Sequence, residues 1–69
     1  MPSVSPREFG RQIRERRQLL GISQDRLAEV VGVNRRVIGE LERGKLTVQL
    51  GIALRVARAL GLDIELRER

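Results

Sequence analysis

Gly21 to Lys45 reads GISQDRLAEVVGVNRRVIGELERGK, and this stretch decides the arrangement of everything around it. Ser23 stands where a side-chain oxygen can cap a helix start, with Ile22 placed to staple against Leu27. Leu27, Ala28, Val30 and Val31 supply that helix with an inward side. Gly32 can take the left-handed conformation that ends it. Only two residues later, Asn34 can cap a further helix, with Val33 and Ile38 as its staple pair. A link this short keeps the two helices from lying antiparallel, so a steep crossing is predicted.

In the second of these helices, Asn34 to about Arg43, the apolar positions are Val37, Ile38 and Leu41. The other face carries Arg35, Arg36, Gly39, Glu40 and Arg43. Arg35 and Arg36 fall in the first turn, where positive charge opposes the helix dipole. Their position is explained by an external anion, unless they are ordinary solvated residues. Gly39 costs about 1 kcal/mol relative to alanine inside a helix, so it either marks a close approach to another backbone or a ligand, or is merely tolerated. Two short helices in a steep crossing, the second with a charged outer face, form a helix-turn-helix.

Upstream, Ser5 can cap a first helix, Pro6 suits its first turn, Glu8 completes a capping box and Val4 can staple against Phe9. The helix is predicted from Pro6 to about Leu20, with an apolar stripe of Phe9, Ile13 and Leu20. Arg17 occupies the stripe position between Ile13 and Leu20. It either snorkels its head to water or forms a buried ion pair, because a buried guanidinium without a partner is very costly.

Downstream, Gly44 stops the third helix, and Thr47 is the expected cap of a fourth running to about Leu60. The fourth helix has two apolar stripes: Leu50, Ala53, Leu54, Ala57 and Leu60 for the core, and Ile52, Val56 and Ala59 for a partner subunit. After Gly61 the period changes to two, Leu62, Ile64 and Leu66 alternating with Asp63, Glu65 and Arg67. This predicts a strand over 62–67. A lone strand needs a mate, and the economical one is the same strand of a second copy, antiparallel across a two-fold axis. A frayed tail is the other reading.

The whole chain bounds these readings. Its 69 residues, 41% hydrophobic, predict one domain over 1–69, with a helical core over 5–60, near the size where a single core barely suffices. Cysteine and histidine are absent. Disulfides, thiolate nucleophiles and imidazole ligands are thereby removed, and oligomerisation is left as the reinforcement. No metal or cofactor is implied. The carboxylates are scattered over helix faces and no glycine-rich phosphate loop follows a strand, so an enzyme is not indicated. No apolar run approaches the roughly 20 residues that span a bilayer, and residues 1–9 lack a signal-peptide pattern; a cytoplasmic protein without membrane contact is expected. Fourteen Lys and Arg against nine Asp and Glu give a net charge of +5, nearly all of the positive charge from arginine. That balance suits a polyanionic partner, and arginine's planar fork suits phosphate and guanine edges.

From about Phe9 to Leu62 the chain resembles the Xre/Cro-type helix-turn-helix family, which includes the lambdoid phage repressors. The matching words are Ile13-Arg14 with Arg17 before the glycine, GISQDRLAEVVGVN, ELERGK and ALRVARALGL. More narrowly, ELERGKLTVQL followed by ALRVARALGLDIEL resembles the HipB-type antitoxins, in which a short strand after the last helix pairs across a homodimer. The resemblance implies a mainly α, four- or five-helix, lambda-repressor-like domain with a C-terminal β-strand pairing across a homodimer. It implies a dimeric regulator of transcription on a palindromic double-stranded DNA operator, autoregulating its operon, with a cognate toxin as a possible partner. A module that chiefly neutralises a toxin, a general regulator with no toxin partner, and a basic domain without sequence preference are the alternatives.

Position by position, Gln24 matches a residue that touches the DNA backbone and orients a neighbouring recognition side chain. Asn34, Arg35, Arg36 and Glu40 match the outward face of the recognition helix, with Arg35, Arg36 and Glu40 as candidates for base reading and Asn34 for phosphate. Arg43 and Lys45 fall where the family's loop meets phosphate. Arg17 and Glu42 match a pair that closes internally. Ile52, Val56, Ala59, Leu62, Ile64 and Leu66 are the expected dimer interface. Leu46, Gly39 and Gly51 depart from the family's usual residues.

Overall fold

Each of the first three helices starts at a residue whose side chain accepts a hydrogen bond from the first turn. Ser5 Oγ takes the Glu8 amide at 3.1 Å, Ser23 Oγ the Arg26 amide at 3.0 Å and Asn34 Oδ1 the Arg36 amide at 2.8 Å. These caps satisfy donors that would otherwise be left without a partner. The computed structural model describes residues 5–45, 47–66 and 68. They form α1 (Pro6–Leu19), α2 (Gln24–Val31), α3 (Arg35–Glu42) and α4 (Leu50–Ala59). Gly32, at φ 81°, ends α2 in the left-handed conformation, and α3 starts three residues later. Glu8 does not reciprocate the cap; its carboxylate turns to Arg11, which holds it below the usual carboxylate range. The staple expected between Val4 and Phe9 lies outside the described residues.

The core is one cluster. Ile13 of α1, Leu27 of α2, Ile38 of α3, and Val56 and Leu60 at the end of α4 are essentially inaccessible, with Ala28, Val31, Leu41, Ala53 and Ala57 beside them. Removing a side chain of this size from water contributes about 1.5 to 3 kcal/mol. Helix α3 packs against both α1 and α2, and α2 also packs against α4. Gly10 lets α1 come down on the C-terminal end of α3. A Cβ there would lie 2.3 Å from the carbonyl oxygen of Leu41 and 2.7 Å from that of Glu42. Arg16 ties the same helix to α4, donating from Nε to the Leu60 carbonyl at 2.9 Å.

Several expectations need correction. Thr47 does not cap α4; the helix starts at Leu50 after Gln49, because Val48 is drawn against the core and keeps the chain non-helical up to that point. The two stripes of α4 hold only in part: Ala53, Ala57 and Leu60 are buried and Ala59 is exposed as expected, but other members change sides. Val56, expected at a partner interface, is 0% exposed and belongs to the face Ala53, Val56, Ala57 and Leu60, while Ile52 is half-buried against the same core. Leu50 and Leu54, expected inside, are 72% and 38% exposed. Val30 and Leu20 also face solvent, Leu20 because α1 ends just before it.

No strand is present among the described residues, and a single chain offers residues 62–66 no second strand to pair with. The Leu62 amide donates to the Ala57 carbonyl at 2.9 Å, which folds Leu62 against the core and leaves Ile64 and Leu66 exposed.

Candidate nucleic-acid interface

Because Ile38 and Leu41 anchor α3 from within, its opposite face is presented outward. Asn34, Arg35, Arg36, Gly39 and Arg43 join Gln24 of α2 around an open concavity of about 420 Å³. Five of the sequence-derived candidates (Gln24, Asn34, Arg35, Arg36 and Arg43) are thus brought together. Glu40 and Lys45 stand beside this group and do not line it. No backbone approaches Gly39; a Cβ there would meet only the Arg43 side chain, at 3.3 Å. Of the readings of Gly39, a close approach to another backbone is thus not made among the described residues.

The electrostatics divide the cations. Arg43 lines the concavity and, among the described residues, forms no ion pair with a carboxylate. Arg35 Nε lies 3.5 Å from Asp25 Oδ1 and Arg36 Nε 3.4 Å from Glu40 Oε2, both with the guanidinium well exposed. Exposed pairs at such distances are worth little and exchange readily for a better anion. Lys45 is held more closely, its Nζ donating to Glu40 Oε2 at 2.9 Å. That hydrogen bond, with a smaller contribution from Arg36, keeps the Glu40 carboxyl below its ordinary range.

Two connections were not anticipated in the sequence. Gln24 donates from Nε2 to Glu42 Oε1 at 3.0 Å, so the wall of the concavity is tied to the buried Arg17–Glu42 pair. Lys45 is brought back to Glu40 by the way α3 ends: the Gly44 amide donates to Leu41 O and the Lys45 amide to Glu40 O, both at 3.0 Å. This is a Schellman closure, which sets the residue after the glycine beside the one five positions earlier. Gly44 was the available signal.

The Helix-turn-helix family model HTH_3 matches residues 13–66. The chain belongs to the helix-turn-helix family of transcriptional regulators. An uncharacterised HTH-type transcriptional regulator of Methanothermobacter thermautotrophicus is 53% identical over 51 residues, 74% of each chain. The regulator y4mF of Sinorhizobium fredii is 40% identical over 62 residues, 90% of this chain and 82% of its own. Among solved structures, a HipB-O4 20mer complex superposes with a TM-score of 0.86 at 22% identity, covering 99% of this chain and 96% of the other. A HipA-HipB-O2-O3 complex gives 0.87 at 22% identity, covering 99% and 96%. At that identity the likeness is one of fold. In this helix-turn-helix regulator, α2 and α3 are the motif's two helices. Among the described residues, no cluster of acidic groups could hold a metal and no helix is long and apolar enough to cross a membrane.

Proposed function

We propose that this regulator is a dimeric repressor of the antitoxin type, working in the cytoplasm on a palindromic double-stranded operator in its own operon. The observation that carries the reading is the outward face of α3, where Arg35, Arg36 and Arg43 converge with Asn34 and Gln24 around one concavity. Two copies of α3 would enter successive major grooves, about 34 Å apart. Arg35 or Arg36 would fork onto guanine O6 and N7, and Glu40 would accept from cytosine N4. Gln24, Asn34 and Arg43 would hold phosphates and fix the register, while Lys45, expected from the sequence at a phosphate, is held by Glu40 and would add little.

The dimer would use the apolar surface left open beyond the core: Ala59, Ile64 and Leu66 with the free edge of Leu62 and Ile52, together with Leu54. Val56 supports that surface from inside. Residues 62–67 would become a strand by pairing with the same segment of the second copy, which supplies the backbone partners a single chain lacks. A second role, binding a toxin, is supported by the fold likeness to HipB in a complex with HipA. Selection of bound duplexes from random DNA with the purified protein tests the main reading. A palindrome with half-sites one helical turn apart is expected; enrichment of no sequence would refute it.

A further inference from the structure

Glu40 is the one outward residue of α3 whose charge is opposite to its surroundings, and its side chain is only 18% exposed. Its Oε2 serves both neighbouring cations, Lys45 Nζ at 2.9 Å and Arg36 Nε at 3.4 Å. The Lys45 contact is fixed by backbone, because the Schellman closure at Gly44 holds the lysine's own amide on the Glu40 carbonyl. Lys45 is also the only lysine in the chain, a compact cation on a flexible stem. Glu40 is not part of the buried core that anchors α3, which Ile38 and Leu41 supply.

We infer that Glu40 determines how weakly the protein binds DNA of the wrong sequence, by withholding Lys45 from phosphate. This rests on the DNA-binding reading and deepens it. Sequence-independent binding consists almost entirely of cations replacing counterions along the backbone, each contact adding about 0.9 to the slope of log K against log salt. A lysine already neutralised by a carboxylate adds little to that slope. Arg36 is held more loosely and leaves Glu40 whenever a base edge offers more. Glu40 therefore lowers the affinity for every duplex by about one contact, so that at working salt only sequences that add base contacts stay bound.

The test is a titration of a scrambled 30-base-pair duplex, from 50 to 200 mM salt, with the full chain, Glu40→Gln, Lys45→Met and the double variant. Glu40→Gln is expected to bind at least about threefold more tightly at 50 mM and to steepen the slope by about 0.9. Lys45→Met alone is expected to change affinity less than twofold. In the Lys45→Met background, Glu40→Gln is expected to lose most of its gain. An equal gain with and without Lys45 would mean simple repulsion between Glu40 and phosphate and would overturn the inference, as would a large loss from Lys45→Met alone. No binding of the scrambled duplex by the unaltered chain at 50 mM would instead overturn the DNA-binding reading, and this inference with it. Should Glu40→Gln unfold, the Lys45→Met result decides alone.

Discussion

Arg17 and Glu42 close on each other as a two-pronged pair inside the protein, Nε to Oε2 at 2.6 Å and Nη2 to Oε1 at 3.2 Å, with side chains 11% and 4% exposed. The remaining guanidinium nitrogen donates to the Ile22 carbonyl at 2.8 Å, and Gln24 completes the carboxylate. One ion pair thus joins α1, the turn before α2, the start of α2 and the end of α3. Removing one partner strands the other charge out of water, which costs about 3 to 5 kcal/mol. Arg17→Ala and Glu42→Ala should each lose that much in urea unfolding, whereas Arg17→Met with Glu42→Leu should lose far less. A loss below about 1 kcal/mol for both single variants would show that the pair does not hold the helices together.

The approach of α1 to α3 makes a second prediction. Gly10→Ala places a methyl group 2.3 Å from a backbone oxygen, so α1 must move, and a loss of about 2 kcal/mol or more is expected. At Gly51 in α4 an added Cβ meets nothing within 4 Å, and the same change should stabilise by up to about 1 kcal/mol through helix propensity. Thermal unfolding of the two variants checks both signs. Equal effects at the two sites would contradict the packing.

Much of this architecture is written locally. Ser5, Ser23 and Asn34 each cap where the sequence places them, and Gly32 sets the turn, because caps and left-handed glycines act within a few residues. The fourth helix is where local reading fails. Its apolar residues occupy nearly every phase, so periodicity alone could not tell Val56 from Leu54; only the position of α2 and α1 decides which face is covered. Gly10 is silent for a related reason, since in a sequence it shows only a missing side chain, and its use appears when Leu41 and Glu42 come from 31 and 32 residues away. The arginines of α3 were readable as misplaced charges, but Gln24's bond to Glu42 depends on the crossing of two helices.

Within the concavity, the roles of the cations separate by how they respond to sequence. Whichever of Arg35 and Arg36 reads a base should, when changed to alanine, cost about 1 to 3 kcal/mol on the selected operator and relax preference at one base pair. Arg43→Ala should weaken selected and scrambled duplexes alike and reduce the salt slope by about 1. Competition binding with single-base variants of the operator makes the distinction. Equal losses on operator and scrambled DNA for both Arg35→Ala and Arg36→Ala would remove the base-reading assignment.

The burial of Val56 and the exposure of Leu54 on α4 give the dimer hypothesis a sharper test than deletion of the tail, because Leu62 packs on the core and its removal would damage the fold itself. Val56→Ala acts inside one chain and should cost about 1 to 3 kcal/mol of stability, wherever the partner sits. Ile64→Asp and Leu54→Asp change side chains that a single chain leaves 46% and 38% exposed. They should leave the helical circular dichroism intact and weaken self-association at least tenfold in sedimentation, because a charge buried without a partner opposes any apolar contact. If both aspartate variants sediment like the unaltered chain, the second copy does not cover this face, and residues 62–67 do not pair across a two-fold axis beside it.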